Sequence, residues 1–167
     1  MTIERLEPKA DNRCFGCGGA NASGMKLAFE QDHERRRIAG RFRLGEQYQG
    51  GGGMMHGGII ALLLDEAMGK LNRFHDVRAV TAELSVEYLR PVPVDEEITV
   101  EAEEVSRDGR NLTHRGEIRN GAGKVLARGK GRFVIVSGIK AVVSGQGKAS
   151  GQGFQWPVKS EKQKAKK

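Results

Sequence analysis

The densest run of hydrophobic positions in the chain lies at residues 59–64, which are all apolar. Ala67, Met68 and Leu71 continue this run, so a helix over residues 56–69 would be hydrophobic around most of its circumference. A helix of this kind belongs inside a fold rather than on its surface. We therefore predict one buried central helix.

Segments on both sides of this helix alternate between apolar and polar residues with the period of two typical of half-buried strands. The predicted strands are 25–31, 36–44, 77–89, 98–106, 112–119 and 125–136, the last four forming a meander. In 77–89, the alternation places Val80 and Leu84 on one face and Thr81 on the opposite, polar face. The pattern predicts an α+β domain whose curved antiparallel sheet of about five to six strands wraps the helix.

Composition divides the chain into three segments. Residues 1–24 are polar and turn-rich, residues 25–136 form the predicted domain, and residues 137–167 are rich in Gly, Ser, Gln and Lys. The last segment carries seven lysines and one glutamate, or +6 of the formal charge of +7, which leaves +1 for the rest. We therefore predict a flexible basic tail suited to an anionic surface, and no specific nucleic-acid partner.

Features that would direct the chain to a membrane are missing from the sequence. No apolar run has membrane-spanning length, and Thr2, Glu4 and Arg5 interrupt any signal peptide, so we expect a cytoplasmic protein without a transmembrane segment. The two cysteines, Cys14 and Cys17, agree with a reducing compartment. Because a zinc site needs four ligands and no second cysteine pair exists, we predict local turn packing for them and no metal.

One acid inside the apolar helix lacks a neighbour of opposite charge. On a helix, Asp65 shares its face with residues such as Ala61 and Met68, whereas Glu66 has Lys70 one turn along. Glu66 is therefore expected to be a solvated, paired residue at the rim. Asp65 is expected to lie in a cleft with a raised pKa, which is typical of a functional acid, unless it only bonds the backbone of a loop.

Several short motifs then occur in a characteristic order. They are Cys14-Phe15-Gly16-Cys17-Gly18, His56-Gly57-Gly58, Asp65-Glu66-Ala67-Met68-Gly69, Val80-Thr81-Ala82-Glu83-Leu84, Tyr88-Leu89-Arg90-Pro91-Val92-Pro93 and Gly129-Lys130-Gly131-Arg132-Phe133. With them the chain resembles the hotdog-fold acyl-CoA thioesterases, in the PaaI-like branch of the 4-hydroxybenzoyl-CoA thioesterase superfamily. The resemblance implies hydrolysis of acyl-CoA without a further cofactor, by a homodimer that can pair into a tetramer.

The resemblance also implies roles for individual residues. Asp65 would activate water or attack the thioester directly, and the Gly57 N–H would polarise the carbonyl oxygen. Thr81 would hold the nucleophile or the carboxylate. His56 and Gly58 would lie at the mouth of the acyl site, although a purely structural role at the helix start is an equal alternative for His56.

Three further residues are candidate substrate contacts. Relatives often carry an Asn near the reacting group where this chain has Gln49, so Gln49 either replaces that Asn or the helper is missing. Arg90 and Arg132 are candidates for binding a phosphate of coenzyme A, but Arg90 is also placed to end a strand. A non-catalytic acyl-CoA-binding regulator on the same fold is the main alternative function, and a hydratase fits less well.

Distance along the helix favours a site shared by two subunits. From Gly57 to Asp65 the helix rises about 12 Å, at roughly 1.5 Å per residue. A carbonyl carbon about 3 Å from both the donor and the carboxylate limits their separation to roughly 6 to 7 Å. Two antiparallel helices would bring Gly57 of one subunit to Asp65 of the other, so we predict a homodimer with composite sites.

Overall fold

The predicted central helix is present as α1, Gly57–Lys70, and a 3-10 turn, Leu71–His75, extends it. The computed structural model describes residues 2–138. A second 3-10 turn, Glu46–Tyr48, precedes α1. The buried residues of α1 are Ile60, Leu63, Leu64, Ala67 and Met68. The prediction of a buried central helix is therefore confirmed.

Seven strands form one antiparallel sheet that packs against α1. They are β1 Ile3–Leu6, β2 Phe29–Asp32, β3 Arg37–Arg43, β4 Val77–Tyr88, β5 Glu97–Asp108, β6 Asn111–Asn120 and β7 Val125–Gly138. Their order in the sheet is β1-β2-β3-β5-β6-β7-β4. The helix contacts β3 to β7, so the predicted α+β hotdog architecture is confirmed.

Two details of the predicted sheet are wrong. The count of five to six strands is too low, because Ile3–Leu6, within the segment interpreted as turn-rich, forms β1 and pairs with β2. The four-strand meander is also wrong, because β4 lies at the edge of the sheet and pairs with β7 rather than with β5. Both pairings join segments that are far apart in sequence, where local alternation carries no information about the partner.

Three glycines allow α1 to lie close to the sheet. Gly116 on β6 and Gly129 and Gly131 on β7 all face the helix. A Cβ at Gly129 would lie 3.3 Å from the Leu64 side chain and 3.4 Å from Met68 Cε, which is closer than a side chain is normally packed. Leu64 and Met68 therefore occupy the space that larger residues on β6 and β7 would need.

A β-bulge changes which residues of β4 face α1. The register against β7 shifts between Thr81 and Glu83, so the pairing passes over Ala82. Thr81 pairs with Phe133, which is buried against α1, and shares this face with Leu84. The predicted alternation, with Thr81 opposite Leu84, is wrong because one extra residue reverses the phase of the strand.

The predicted basic tail, 137–167, lies outside the described residues except for Ser137 and Gly138, which extend β7. Its suggested contact with an anionic surface stays a prediction. Among residues 2–138, no helix is long and apolar enough to cross a membrane.

Candidate active site

The N-terminus of α1 presents a free backbone donor at Gly57. His56 is the N-cap residue, and its Nδ1 accepts a hydrogen bond from the Gly58 N–H at 2.9 Å. The N–H groups of Ile59 and Ile60 donate to the His56 carbonyl oxygen. Within the described part of the chain, no acceptor is found for the Gly57 N–H. Gly57 therefore keeps a donor for an incoming carbonyl oxygen, and the positive end of the helix dipole strengthens it.

This arrangement separates the roles of the residues predicted at the helix start. The exposed His56 has the helix-capping position that was its structural alternative. Gly58 has no free N–H, but its lack of a side chain leaves room for the His56 ring, since a Cβ would lie 3.1 Å from His56 Nδ1. Of the two glycines, only Gly57 offers a donor.

Tyr88, which sequence reasoning did not single out for the site, completes this end of the helix. Its hydroxyl donates to the Gly57 carbonyl oxygen at 3.0 Å, although the residue is 55% exposed. Tyr88 reaches α1 because it lies four residues after Leu84 in β4 and so shares its helix-facing side of the sheet. The signal in the sequence is an aromatic residue with a polar tip at the end of a strand, which is too common to identify a site.

Asp65 lies in the second half of α1 and is half-buried. Its Oδ1 accepts a hydrogen bond from Thr81 Oγ1 at 2.8 Å. Burial raises the pKa of the Asp65 carboxyl above its ordinary value, and the Thr81 hydrogen bond only partly opposes this, while repulsion from Glu66 adds to it. No Lys, Arg or His within residues 2–138 pairs with Asp65. The acid is therefore held in place but not neutralised.

The three candidate substrate contacts are distributed differently. Gln49 is exposed and pairs with Met55 in the loop that leads into α1, so it lies near the helix entrance. Arg90 donates to the Val125 carbonyl oxygen at 2.8 Å, which fits the strand-ending alternative. Arg132 donates to Glu83 and Asn111 on the face of the sheet away from α1, so the structure does not bring it to Asp65.

The turn at Cys14 and Cys17 packs against α1. Cys14 Sγ donates to Glu66 Oε1 at 3.2 Å, and Lys70 Nζ lies 3.6 Å from Glu66 Oε2. The pairing of Glu66 with Lys70 is confirmed, but Glu66 is not a solvated rim residue, since its side chain is only 17% exposed. Burial and the Glu66 carboxylate raise the pKa of the Cys17 thiol to about 12. This opposes a redox role, which needs an accessible thiolate.

Comparison with known proteins identifies the family of this region. The model of the thioesterase superfamily matches residues 52–127, from the loop before α1 to the start of β7. Residues 52–127 are therefore similar to the thioesterase superfamily. Gly57, Asp65 and Thr81 all lie inside the matched residues, and the resemblance to this superfamily is confirmed.

Individual relatives agree with this assignment. A crystal structure of a thioesterase superfamily protein is 35% identical, with a TM-score of 0.68 over 73% of this chain and 60% of that one. Acyl-coenzyme A thioesterase THEM4 of Rattus norvegicus is 30% identical over 89 residues, 53% of this chain and 38% of that protein. The E. coli PaaI protein shares the fold at 21% identity, with a TM-score of 0.59 over 62% of this chain and 75% of that one. This chain spans 38% to 53% of the lengths of its curated relatives.

Proposed function

We propose that this protein hydrolyses acyl-CoA thioesters to the free acid and coenzyme A. The observation that carries the proposal is the Asp65 carboxylate, half-buried, held by Thr81 and without a cationic partner among residues 2–138. The superfamily match and the similarity to a rat acyl-coenzyme A thioesterase support this substrate class.

In the proposed reaction, the thioester carbonyl oxygen accepts a hydrogen bond from the Gly57 N–H. Asp65 either takes a proton from the attacking water or attacks the carbonyl carbon itself. In the first route the carbon–sulfur bond then breaks, and the thiolate of coenzyme A takes the proton that Asp65 holds. In the second route the thiolate takes a proton from solvent, and water then hydrolyses the acyl anhydride on Asp65, which releases the free acid and restores the carboxylate. A raised pKa suits Asp65 for accepting a proton near neutral pH. Tyr88 would hold Gly57 in position through its hydrogen bond to the Gly57 carbonyl oxygen.

We further propose that each site is shared between two subunits of a homodimer. Gly57 and Asp65 are separated on α1 by about 12 Å of helix rise, which exceeds the roughly 6 to 7 Å that one reacting carbonyl group can bridge. Antiparallel packing of two α1 helices would meet this limit, with Gly57 from one subunit and Asp65 from the other. Assembly of two dimers into a tetramer stays a prediction.

Release of free thiol from a panel of aliphatic and aromatic acyl-CoAs tests the activity. Asp65→Asn should lower kcat on the order of 100-fold or more, because the amide can neither accept a proton nor attack. Glu87→Gln changes an exposed acid on β4 in the same way and should leave kcat unchanged. Binding of acyl-CoA without thiol release in the wild type would contradict hydrolysis and indicate the non-catalytic regulator.

Gly57→Pro tests the backbone donor. Proline lacks the N–H and fits the first position of a helix, and His56 already has the extended conformation that a following proline requires, with φ −62° and ψ 136°. We expect kcat to fall on the order of 100-fold to 1000-fold. Gly57→Ala is the matched control, because it keeps the N–H and its Cβ would meet Tyr88 at an ordinary 3.5 Å.

Refolding a mixture of Asp65→Asn and Gly57→Pro chains tests whether the site is shared. Random pairing makes about half of the dimers mixed, and each mixed dimer contains one native combination of Gly57 and Asp65. About a quarter of wild-type activity should therefore return. A mixture that stays inactive would contradict the shared site while leaving hydrolysis by the wild type untouched.

A further inference from the structure

The turn at residues 14–18 is closed tightly against the Glu66 carboxylate. A Cβ at Gly16 would lie 2.5 Å from Glu66 Oε1, so only glycine leaves room for the carboxylate. A Cβ at Gly18 would lie 2.4 to 2.5 Å from backbone atoms of Asn12 and Cys14. The Gly18 N–H donates to the Cys14 carbonyl oxygen at 2.9 Å, which closes the turn. Both glycines therefore permit a close approach that gathers the two thiols at one acidic side chain.

The sequence predicts no metal here because it offers only two cysteine ligands, but the fold adds Glu66 as a third, and we propose that Cys14, Cys17 and Glu66 form a binding site for Zn²⁺. Their two sulfur atoms and one carboxylate oxygen all lie within 4.8 Å of one another. Zn–S distances of about 2.3 Å and Zn–O distances of about 2.0 to 2.2 Å place tetrahedral ligand atoms roughly 3.6 to 3.8 Å apart. Changes of about 1 Å or less in each separation therefore give the required geometry. Two thiolates favour zinc over magnesium or calcium, and water fills the fourth position.

The surrounding charges suit a bound Zn²⁺ ion. Binding releases the two thiol protons to solvent, and the two thiolates, the Glu66 carboxylate, the ion and the Lys70 ammonium then sum to zero. Lys70 approaches Oε2 of Glu66, while Oε1 faces the Cys14 thiol. Oε1 of Glu66 is thus directed to the thiols, and Oε2 is directed to the Lys70 ammonium, whose charge brings the sum to zero. A partly buried site that is neutral overall avoids the cost of burying net charge.

The ion would join the N-terminal segment to α1 at the residue that follows Asp65. Cys14 and Glu66 are 52 residues apart in sequence, so the link closes a long loop. Asp65 and Gly57 are not ligands, and the proposed hydrolysis uses no metal-bound group. The zinc site should therefore affect metal content and thermal stability rather than the chemistry of the thioester.

The full chain, purified with its cysteines reduced, is tested with Zn²⁺ and with Co²⁺ as a spectroscopic probe. Elemental analysis should give one Zn²⁺ per chain, and Co²⁺ should show a thiolate charge-transfer band with the d–d bands of a tetrahedral site. Changing both Cys14 and Cys17 to Ala should abolish these signals, and Glu66→Gln should weaken binding at least roughly tenfold. Glu83→Gln, in an exposed acid that pairs with Arg132, is the matched control and should bind normally.

The cobalt titration of the unmodified chain does not depend on whether a variant folds. Absence of the thiolate band in the reduced wild type would overturn the proposal, and so would a full equivalent of zinc retained without Cys14 and Cys17. Reduced thiols that bind no metal but oxidise readily to a disulfide would overturn it in favour of a redox pair. No readout uses thioester turnover, so this proposal and the proposed hydrolysis can fail independently.

Discussion

His114 should make the fold sensitive to acid. The residue lies on β6 with no exposed surface, and its Nε2 lies 3.0 Å from Asn72 Oδ1, while its Nδ1 has no hydrogen-bond partner among the described residues. The ring packs on Phe133, with 5.1 Å between ring centroids. Burial lowers the pKa of His114 to about 4 from its ordinary 6.5; Glu104 opposes this shift and His75 adds to it.

The direction and size of the effect follow from proton uptake on unfolding. Well above pH 6.5 the His114 ring is neutral in both the folded and the unfolded state, so it does not contribute to the pH dependence of the free energy of unfolding. As the pH falls from 6.5 towards 4, the unfolded chain gains a proton that the folded protein does not, and stability is lost. At about pH 5 the loss is about 2 kcal/mol, and below pH 4 it approaches about 3 kcal/mol.

Urea unfolding at about pH 7.5 and about pH 5 measures this loss in the wild type and in His114→Gln, which has an uncharged amide. The wild type should lose about 2 kcal/mol more than the variant between the two conditions. Asp65, whose raised pKa favours the folded state at low pH, is present in both proteins and cancels. NMR titration of the wild-type ring gives an independent check that does not require the variant to fold. Equal acid sensitivity of the two proteins, or a ring that titrates near its ordinary pKa, would refute the reasoning.

Two further predictions concern Asp65 and the packing of α1. Thr81→Val removes the hydrogen bond that lowers the Asp65 pKa, so the acid limb of the pH profile of kcat/KM should move to higher pH. At a fixed pH on that limb, kcat/KM should fall roughly tenfold. Thr81→Ser keeps the hydroxyl and should behave as wild type. Gly129→Val crowds Leu64 and should lower the free energy of unfolding by about 1 to 3 kcal/mol in urea titrations. Gly121→Val, where a Cβ meets nothing within 4 Å, should stay within about 0.5 kcal/mol.

The helix and most strands are predictable because their signals are local. The apolar run at 59–64 predicts a helix that differs by one residue at each end from Gly57–Lys70. The period of two predicts β4 to within one residue of its end at Tyr88. The pairing of β4 with β7 joins two strands that are far apart in sequence, and no local pattern predicts it.

The residues of the candidate site also differ in whether a local pattern in the sequence predicts them. Asp65 can be identified from the sequence because it is an acid on an apolar helix face with no cation one turn away. Helical spacing alone shows both the apolar face and the missing cation. Alternation places Thr81 on the wrong face, and only the resemblance to a family puts it at the site, since the bulge at Ala82 leaves no trace in the pattern. The contact of Cys14 with Glu66 spans 52 residues and depends on a turn folding back onto α1.

Three consecutive residues of α1 explain why the direction of Asp65 is fixed. Successive residues on an α-helix point about 100° apart, since each turn holds about 3.6 residues. Leu64 fills the space left by the glycines of the sheet, Asp65 meets Thr81, and Glu66 enters the turn at Cys14. Rotating the helix to move Asp65 would push Leu64 into the sheet on one side and pull Glu66 from the turn on the other. The position of the proposed catalytic acid is therefore set by two contacts that take no part in the chemistry.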